Sequence, residues 1–535
     1  MFFALAPHPK STFKCPKSPL KMSQLSDFSK RFQEFQNRQA SDDDSSLLRS
    51  IRFFGLAGNV EYADDSEFLQ PPRKLNDRDL NPAGKDEQML GFVVASSGKK
   101  DGRAMACAPL VRYHKTAAYP DGSCFVLDSN LRRTSVINTC RDLPRKDRHN
   151  EFGQCQEGFS GYIDEDRILT GLPGARKWTG GVFAQTVNDP DLPDFTVDRF
   201  TMGSLGPEAL TNVFASHDYV GYSVKSGNFG FHYEDDNTLT VVSGATRFRQ
   251  TGAVVFLKHN RKDMITKSLG LANNHTINGR QLGSSFGYAI EVLDLNGDGF
   301  DDLLVGAPFE YNSTYGGAVY VYMSRGKQKK ASDPVFHEPV VLRGEGIYSQ
   351  FGQAITSLGH RNNVKNSDFA VGAPFADNGK GAVYIFHGAA SLKKFKREPV
   401  QKISAKDFSA IPAAKDLKTF GFSLAGGVDL DGNKFNDLAV GAYGSDTVVL
   451  LRARPVIDVS AAIEKVGSKN IPIDGDSSCH KEAKSCFILK TKIKLDYTQR
   501  ANKVVDFKEN IFECHLEVLP IRSSKSSRAM IVDSK

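Results

Sequence analysis

The feature that most constrains this chain is a three-part phrase that recurs six times. Its first part is a glycine, followed by an aromatic residue in five of the copies, at Gly91, Gly158, Gly221, Gly287, Gly352 and Gly421. The steps between these glycines are 67, 63, 66, 65 and 69 residues. The second part reads "MACAPL", "LTGLPG", "VVSGAT", "LLVGAP", "FAVGAP" and "LAVGAY", and the third part includes "GAVVFL" and "GAVYVY". Because order and spacing both hold, the chain consists of tandem copies of one structural unit.

Each part is a short run of β-branched or aromatic residues bounded by Gly, Pro or Asp, which is typical of β-strands. A unit of about 65 residues has room for about four strands with their loops. Four-stranded units in tandem close naturally into a β-propeller. A solenoid is the alternative, but it would need capping repeats and usually has a shorter period. The sequence therefore predicts an all-β propeller over residues 51–455, preceded by a polar segment, residues 1–50, that is disordered or a non-native leader.

The fourth copy contains an acidic loop, "DLNGDGFDD", directly before its second part. Asp294, Asn296, Asp298 and Asp302 stand at positions 1, 3, 5 and 9, and Phe300 at position 7 can offer its backbone carbonyl. Calcium takes six to eight oxygen ligands. An EF-hand would need a glutamate at position 12 and a following helix, whereas a β-branched run follows here. The loop thus predicts a calcium-binding β-hairpin.

The sixth copy has the same arrangement in "DLDGNKFND". Asp429, Asp431, Asn433 and Asp437 supply side-chain oxygens, and Phe435 supplies a carbonyl. The alternative, a solvated acidic turn, does not explain why two copies place the same donors at the same point of the repeat. The sequence predicts two calcium ions as the only cofactors.

The fifth copy departs from this pattern. With Asp368 at position 9, position 1 is His360 and position 5 is Val364, so two ligands are missing and we predict no calcium there. We expect Arg361 or Lys365 to lie against Asp368 instead. The third copy, "SGNFGFHYEDDNTL", also lacks correctly spaced acids.

Six of the eight cysteines fall as near neighbours, and none of the eight sits in a metal-binding C-x-x-C pair. Local disulfides Cys107–Cys124, Cys140–Cys155 and Cys479–Cys486, and hence an oxidising compartment, fit better. The sequons at Asn274 and Asn312 predict glycosylation in the same compartment.

The formal net charge of +7 is a small bias. Basic stretches such as "RDLPRKDRH" and "SLKKFKRE" are short and scattered, so solvated loops and a nucleic-acid or heparin patch both stay open. We find no nucleophile elbow, no H-E-x-x-H and no phosphate-binding glycine loop, and we expect no enzymatic activity.

With repeats, calcium hairpins and paired cysteines together, the chain resembles the head of an integrin alpha subunit from about Gly55 to its end. Its phrases are similar to the FG-GAP repeats of that family. "VVSGATRFRQTGAVVFLK" and "FGQCQEGFSG" are most similar to the laminin-receptor class without an inserted domain. The resemblance implies a seven-bladed propeller with an incomplete first blade, and residues 456–535 as the start of an immunoglobulin-like thigh β-sandwich.

The resemblance also implies partners. In the family, aromatic residues around the central channel hold a basic side chain of a beta subunit, and the candidates here are Phe92, Phe159, Tyr222, Tyr288 and Phe422, with Gln353 interrupting the ring. The acids that hold the arginine of Arg-Gly-Asp ligands correspond to Asn150 and Ser216, which disfavours such ligands and agrees with laminin. The candidate ligand-binding residues of the second to fourth blades are Arg145, Arg148, His149, His217 and Asp218.

The family works as a heterodimeric receptor at the cell surface that carries signals across the plasma membrane. The opening "MFFALAPHPK" does not read as a signal peptide, and no run of about 18 apolar residues follows anywhere. We therefore expect a chain that is incomplete at both ends. The alternative function is a soluble, calcium-stabilised binding scaffold that acts without a beta subunit.

Overall fold

The computed structural model of the chain describes residues 20–21, 88–98, 102–112, 120–142, 152–164, 167–186, 203–205, 213–234, 238–260, 268–360, 366–412, 414–433, 435–453, 457–465 and 491–499. The chain divides into two units, Met1–Pro455 and Val456–Lys535. Within the described residues no helix has the length and apolar character needed to cross a bilayer.

The larger unit is built from groups of four antiparallel strands, which we call blades A to F. The short strand β1 (Leu20–Lys21) is the outermost strand of blade F. Blade A contains β2 (Val93–Ser96), β3 (Ala104–Ala108), β4 (Ser123–Leu127) and β5 (Arg133–Ile137). Blade B contains β6 (Ser160–Ile163), β7 (Arg167–Gly171), β8 (Val182–Thr186) and β9 (Gly203–Leu205). Blade C contains β10 (Val220–Gly227), β11 (Thr238–Ala245), β12 (Ala253–Asn260) and β13 (Ser268–Asn278).

The remaining blades follow the same plan. Blade D contains β14 (Ile290–Leu293), β15 (Asp302–Tyr311), β16 (Tyr315–Tyr322) and β17 (Val340–Arg343), and β18 (Gly346–Phe351) pairs in parallel with β16. Blade E contains β19 (Ala354–His360), β20 (Ser367–Ala373), β21 (Ala382–Phe386) and β22 (Gln401–Ser404). Blade F contains β23 (Phe420–Val428), β24 (Asp437–Ala442) and β25 (Thr447–Leu451), completed by β1. Short helical turns occur at Thr139–Asp142, Ala175–Trp178, Phe248–Gln250, Ala376–Gly379, Ala405–Phe408 and Tyr443–Ser445.

The first strands of successive blades pack against one another. Strand β2 contacts β6, and the same relation links β6 to β10, β10 to β14, β14 to β19 and β19 to β23. The blades therefore follow one another around a common axis, and the predicted all-β propeller is confirmed with six blades. The smaller unit contributes one antiparallel pair, β26 (Ile457–Lys465) and β27 (Thr491–Gln499).

The hydrophobic core lies between neighbouring blades rather than in one centre. One cluster joins Leu304 and Val319 of blade D to Phe369 and Tyr384 of blade E. Separate clusters fill the A–B, B–C and C–D junctions in the same way. Middle strands such as β21 are buried on both faces, which explains why they read as continuous apolar runs without polar alternation.

The repeated glycines are explained by close backbone contacts between blades. A Cβ atom on the second-part glycine of blades B, C, D or E would lie 2.0–2.3 Å from the carbonyl oxygen of the first-part glycine in the next blade. The pairs are Gly171 with Gly221, Gly244 with Gly287, Gly306 with Gly352 and Gly372 with Gly421. The partner glycines have φ between 90° and 93°, a left-handed conformation that side chains disfavour. Any side chain on either member would separate the blades.

Two of the predicted disulfides are present. Cys107–Cys124 joins directly opposite positions of β3 and β4, and Cys140–Cys155 closes a loop between blades A and B. The third prediction, Cys479–Cys486, lies outside the described residues.

Replacing Gly372 by Ala tests the contact between blades. The added methyl group would lie 2.0 Å from the Gly421 carbonyl oxygen, and we expect a loss of about 1–3 kcal/mol in unfolding free energy because the blades must shift apart. Gly181→Ala is the matched control, since its methyl group would meet only the Leu172 side chain, at 3.5 Å. Urea unfolding followed by circular dichroism measures both variants. Equal midpoints for the two would contradict this explanation of the repeated glycines.

Candidate metal centre and binding surface

The first acidic hairpin lies in blade D, between the end of β14 and the start of β15. The chain wraps around the Asp294 carboxylate, whose Oδ1 accepts the Gly297 N–H at 2.7 Å and whose Oδ2 accepts the Gly299 N–H at 2.9 Å. Both glycines have positive φ, 75° and 89°, which permits this tight path. Asn296 Oδ1 accepts the Asp298 N–H at 2.9 Å, so the donors at positions 1, 3 and 5 lie on one small loop.

The position 9 acid, Asp302, closes this hairpin from inside the protein. It is fully buried, with Oδ1 accepting the Ser324 N–H at 2.7 Å and Oδ2 accepting the Leu295 N–H at 2.8 Å. Burial, with smaller contributions from the nearby carboxylates Asp298 and Asp294, raises its pKa to about 7. An ionised Asp302 is therefore disfavoured unless a cation sits beside it, which is the environment that a divalent ion satisfies.

The second acidic hairpin, in blade F, repeats this arrangement. Asp429 Oδ1 accepts the Gly432 N–H at 2.9 Å, while Asp437 accepts the N–H groups of Leu430 and Ala453 at 2.9 and 2.8 Å. Burial raises the pKa of Asp437, and Asp431 and Asp429 raise it further.

Three of the blade F carboxylates converge. One oxygen from each of Asp429, Asp431 and Asp437 lies within 4.8 Å of the others. Ligands about 2.4 Å from one ion lie at most about 4.8 Å apart, so the three oxygens could share one calcium ion. The residues of the blade F hairpin thus fit the predicted metal, and the blade D hairpin carries the same types of donor at the same spacing.

In the hairpin of blade E, the acid Asp368 has a backbone N–H and a histidine as its partners. Asp368 Oδ1 accepts the Gly388 N–H at 3.1 Å, in the role that Ser324 and Ala453 have in blades D and F. Its other oxygen lies 3.0 Å from His387 Nδ1. Arg361 and Lys365, the cations that we expected there, lie outside the described residues. No pattern in the sequence pointed to His387, because it lies outside the hairpin, directly after the third strand of the blade.

In blade C, backbone N–H groups stabilise a buried acid in the corresponding turn. The buried Glu234 accepts the N–H groups of Gly230 and Phe231 at 2.6 and 2.8 Å. Lys327 of blade D reaches across and donates to the Phe231 carbonyl at 2.9 Å. Asp235 and Asp236, the other acids of this turn, lie outside the described residues.

Asp301 connects the blade D hairpin to blade C, a role that the sequence did not reveal. Its Oδ2 accepts the Asn228 N–H at 2.8 Å, and its own N–H donates to the Asn228 carbonyl at 2.7 Å. Burial raises the pKa of Asp301 to about 6. An ion held in the hairpin would therefore stiffen the C–D junction as well as one blade.

The predicted channel aromatics form a continuous arc. Ring centroids are 4.9 Å apart for Phe92 and Phe159, 4.9 Å for Phe159 and Tyr222, and 5.0 Å for Tyr222 and Tyr288. Gln353 continues the arc, because its Nε2 donates to the Tyr288 hydroxyl at 2.9 Å.

The sixth position of the arc, Phe422, stacks on Tyr443 at 5.0 Å. The aromatic residues of the arc are half-buried, so each ring keeps part of its surface open. The structure therefore brings together the residues that the sequence selected, and the first four rings contact one another in sequence.

The end of the propeller opposite the hairpins carries exposed apolar side chains. Strand β15 starts at Asp302, beside the hairpin, and ends at Tyr311, so Phe309 and Tyr311 lie far from the metal loop. Exposed apolar residues at this end, which we call the upper apolar surface, are Leu282, Phe309, Tyr311, Ile347, Tyr348, Phe375 and Tyr443. Tyr348 is 81% exposed. Large exposed apolar groups in one region mark interaction sites in soluble domains.

The predicted ligand residues are only partly described. Arg145, Arg148 and His149 lie outside the described residues. His217 is exposed and stacks on Trp178 with a centroid distance of 5.3 Å. Asp218 is buried, and its Oδ2 accepts the Ala215 N–H at 2.6 Å, so it faces the protein rather than solvent.

The predicted glycosylation sites lie in blades C and D. Asn312 is exposed in the turn between β15 and β16, where its Oδ1 accepts the N–H groups of Thr314 and Tyr315 at 2.7 and 2.9 Å. Asn274 falls within β13, and its side chain lies outside the described residues.

Glu157 is a buried acid that the sequence reasoning missed. It precedes a first-part glycine, a position that Val220, Phe286, Phe351 and Phe420 occupy in blades C to F. Its carboxylate accepts the Cys140 N–H at 3.3 Å and the Thr170 hydroxyl at 3.2 Å, which ties the disulfide loop to blade B. Burial raises its pKa to about 7.

The fold and the hairpins together define a class of protein. Its members are β-propellers in which an acidic hairpin suited to a metal ion joins the first two strands of some blades. The FG-GAP repeat family model matches residues 286–322, which span the blade D hairpin. Integrin alpha ina-1 of Caenorhabditis elegans is 45% identical over 89% of this chain and 42% of its own length. Integrin alpha-6 of Gallus gallus is 34% identical (80% and 40%), and integrin alpha-3 of Mus musculus is 36% identical (70% and 33%).

The chain belongs to the integrin alpha family, as the sequence predicted. It spans 42% of the length of the ina-1 relative and 40% of the length of the alpha-6 relative.

Replacing Glu157 by Gln tests the buried acid. Because burial raises its pKa from 4.5 to about 7, the folded chain holds a proton that the unfolded chain releases, and stability falls as pH rises between these values, by about 3 kcal/mol in all. We expect Glu157→Gln to remove much of this decline in urea unfolding at a series of pH values. Glu338→Gln, at a solvent-exposed glutamate, is the control. A wild-type pH slope in both variants would contradict this account.

Proposed function

We propose that this chain is the head-bearing part of a cell-adhesion receptor subunit, which pairs with an integrin beta subunit and binds an extracellular matrix protein of the laminin type. The observation that carries the proposal is the continuous arc Phe92–Phe159–Tyr222–Tyr288 beside the upper apolar surface. Integrin alpha relatives support the adhesion role. The proposed role is non-catalytic, at the cell surface, with signalling across the plasma membrane through segments outside this chain.

The arc suits a basic side chain of the partner. A cation above aromatic faces gains about 1–2 kcal/mol when it is shielded from water. Because neighbouring rings already contact one another, little side-chain entropy is lost when the cation enters. The upper apolar surface would then bury against the beta subunit around this central contact.

The ligand surface in this proposal is the upper end of the second to fourth blades of a seven-bladed ring, with Arg145, Arg148, His149 and His217. Uncharged Asn150 and Ser216, together with the inward-facing Asp218, disfavour a ligand arginine. The similarity to integrin alpha-6 and alpha-3 supports a laminin-type ligand.

Further parts of the proposal concern the architecture. The incomplete repeat near Phe53 would complete a seventh blade, and β26 with β27 would begin an immunoglobulin-like sandwich in residues 456–535. Calcium would occupy the Asp294–Asp302 and Asp429–Asp437 hairpins, where it would stiffen the blades without touching the ligand. The exposed Asn312 would carry an N-linked glycan.

Calcium titration tests the hairpins. Calorimetry on the full chain, stripped with chelator, should detect two sites, and Asp298→Ala and Asp431→Ala should each remove one. At a calcium concentration about 100 times Kd, each site stabilises the fold by about 2.7 kcal/mol, so chelation should lower the thermal midpoint. Asp368→Asn is the matched control and should leave both sites. Unchanged stoichiometry in either hairpin variant would sink the metal assignment.

Co-purification with a beta subunit tests the pairing. Tyr222→Leu keeps an apolar side chain but removes an aromatic face, and Tyr348→Asp charges the upper apolar surface. We expect each to lower the recovered heterodimer by about tenfold, because a loss of about 1.4 kcal/mol changes an equilibrium tenfold.

The control for this experiment is Lys393→Asp, an exposed residue at the hairpin end. Recovered heterodimer is then applied to immobilised laminin and to an Arg-Gly-Asp surface, and we expect retention on laminin alone. Failure of the wild-type chain to pair with any integrin beta subunit would instead favour the soluble scaffold.

A further inference from the structure

Two basic loops emerge side by side from blades D and E. The first contains Lys329 and Lys330, between β16 and β17, and the second contains "KKFKR", between β21 and β22. We call the exposed cations of these loops the lower basic surface: Lys329, Lys330, Lys393, Lys394, Lys396 and Arg397. The functions proposed above for the acidic hairpins and for the upper end of the propeller do not involve this surface.

Both loops leave the propeller at the hairpin end. Strand β16 finishes at Tyr322, which pairs with Leu303 directly after the blade D hairpin. Strand β21 finishes at Phe386, and the next residue, His387, contacts the Asp368 carboxylate of the blade E hairpin. The lower basic surface is therefore at the opposite end from the aromatic arc.

The second loop is anchored by a residue in the middle of its cations. Phe395 is 8% exposed and stacks on Phe369 of blade E with parallel rings, 6.3 Å between centroids. The Lys394 N–H donates to the Ser391 carbonyl at 3.0 Å, which forms a tight turn. The flanking cations are consequently presented from a fixed backbone instead of a free loop.

The first loop is fixed in a similar way. Gln328 is 8% exposed, its N–H donates to the Gly230 carbonyl at 2.7 Å, and its Oε1 accepts the His232 N–H at 3.1 Å. Met323, at the base of this loop, and Phe395 belong to the same hydrophobic cluster between blades D and E. The two loops therefore leave the same end of neighbouring blades, and each is fixed by a buried residue.

The acids within these two loops leave this charge largely unbalanced. The Asp333 carboxylate accepts the Lys330 backbone N–H at 3.0 Å, while Glu338 and Glu398 are solvent-exposed. Glu338 forms its ion pair with Arg280, at 3.8 Å. Six exposed cations within two adjoining loops produce a local positive potential that attracts polyanions.

We propose that the lower basic surface binds a sulfated glycosaminoglycan chain. The buried Phe395 leaves no aromatic ring among the cations for nucleobases to stack on, and it leaves no apolar side chain to insert into a lipid surface. The two disulfides indicate an oxidising compartment, where sulfated polysaccharides are the abundant linear polyanions. Binding would leave the upper face free for its partner and ligand.

Heparin affinity of the full chain tests this proposal, in calcium-containing buffer. Three double variants each remove two charges: Lys329→Gln with Lys330→Gln, Lys393→Gln with Lys394→Gln, and Lys396→Gln with Arg397→Gln. Lys415→Gln with Lys418→Gln, at exposed positions before β23, is the charge-matched control. We expect each of the three to elute from heparin at lower salt and to reduce the slope of log Kd against log salt by about 1–2. The control should elute with wild type.

Two outcomes would overturn the proposal. One is elution of all four variants at the same salt concentration, which would reduce binding to net charge. The other is tighter binding of wild type to phosphatidylserine vesicles than to heparin, which would make the surface a membrane contact. Neither result depends on pairing with a beta subunit, so the proposed receptor function can fail or stand separately.

Discussion

The rest of the structure depends on close backbone contact between neighbouring blades. At four junctions a glycine Cα faces the carbonyl oxygen of another glycine, at a distance that leaves no room for a Cβ. This contact sets how near the first strands approach, and therefore how tightly the apolar faces between the blades can pack. The blades are consequently arranged in order around a common axis, because each blade buries its apolar faces only against its neighbours. This arrangement sets the positions of the cores, the hairpins and the surfaces.

The hairpin between the first two strands of a blade holds an acid, and the groups that surround this acid differ from blade to blade. An acid at position 9 of the hairpin accepts a hydrogen bond from a backbone N–H beyond the third strand, that of Ser324 in blade D, Gly388 in blade E and Ala453 in blade F. Blades D and F place further carboxylates beside this acid, an arrangement suited to a divalent ion, whereas in blade E the acid lies 3.0 Å from His387 Nδ1. Shared geometry thus permits different chemistry, since only the nearby side chains vary.

The two ends of the propeller carry different features. The upper apolar surface lies at one end, and the acidic hairpins and the lower basic surface lie at the other. Strand direction enforces this separation, because each strand carries the chain from one end to the other and loops of one kind always return to the same end. A partner that buries apolar area and a polyanion that seeks charge would therefore meet different surfaces of the same protein.

The sequence by itself determined the repeat, the strand character, two disulfides and the donor sets of the hairpins, because these are local and recur at fixed spacing. Even the arc of Phe92, Phe159, Tyr222 and Tyr288 followed from one position in each repeat. Only the tertiary structure decided which partners the hairpin acids meet. Asp301 meets Asn228 of the neighbouring blade, and Asp368 meets His387 beyond the third strand of its own blade, and neither partner belongs to a repeated phrase. Packing sets such contacts, so no local pattern announces them.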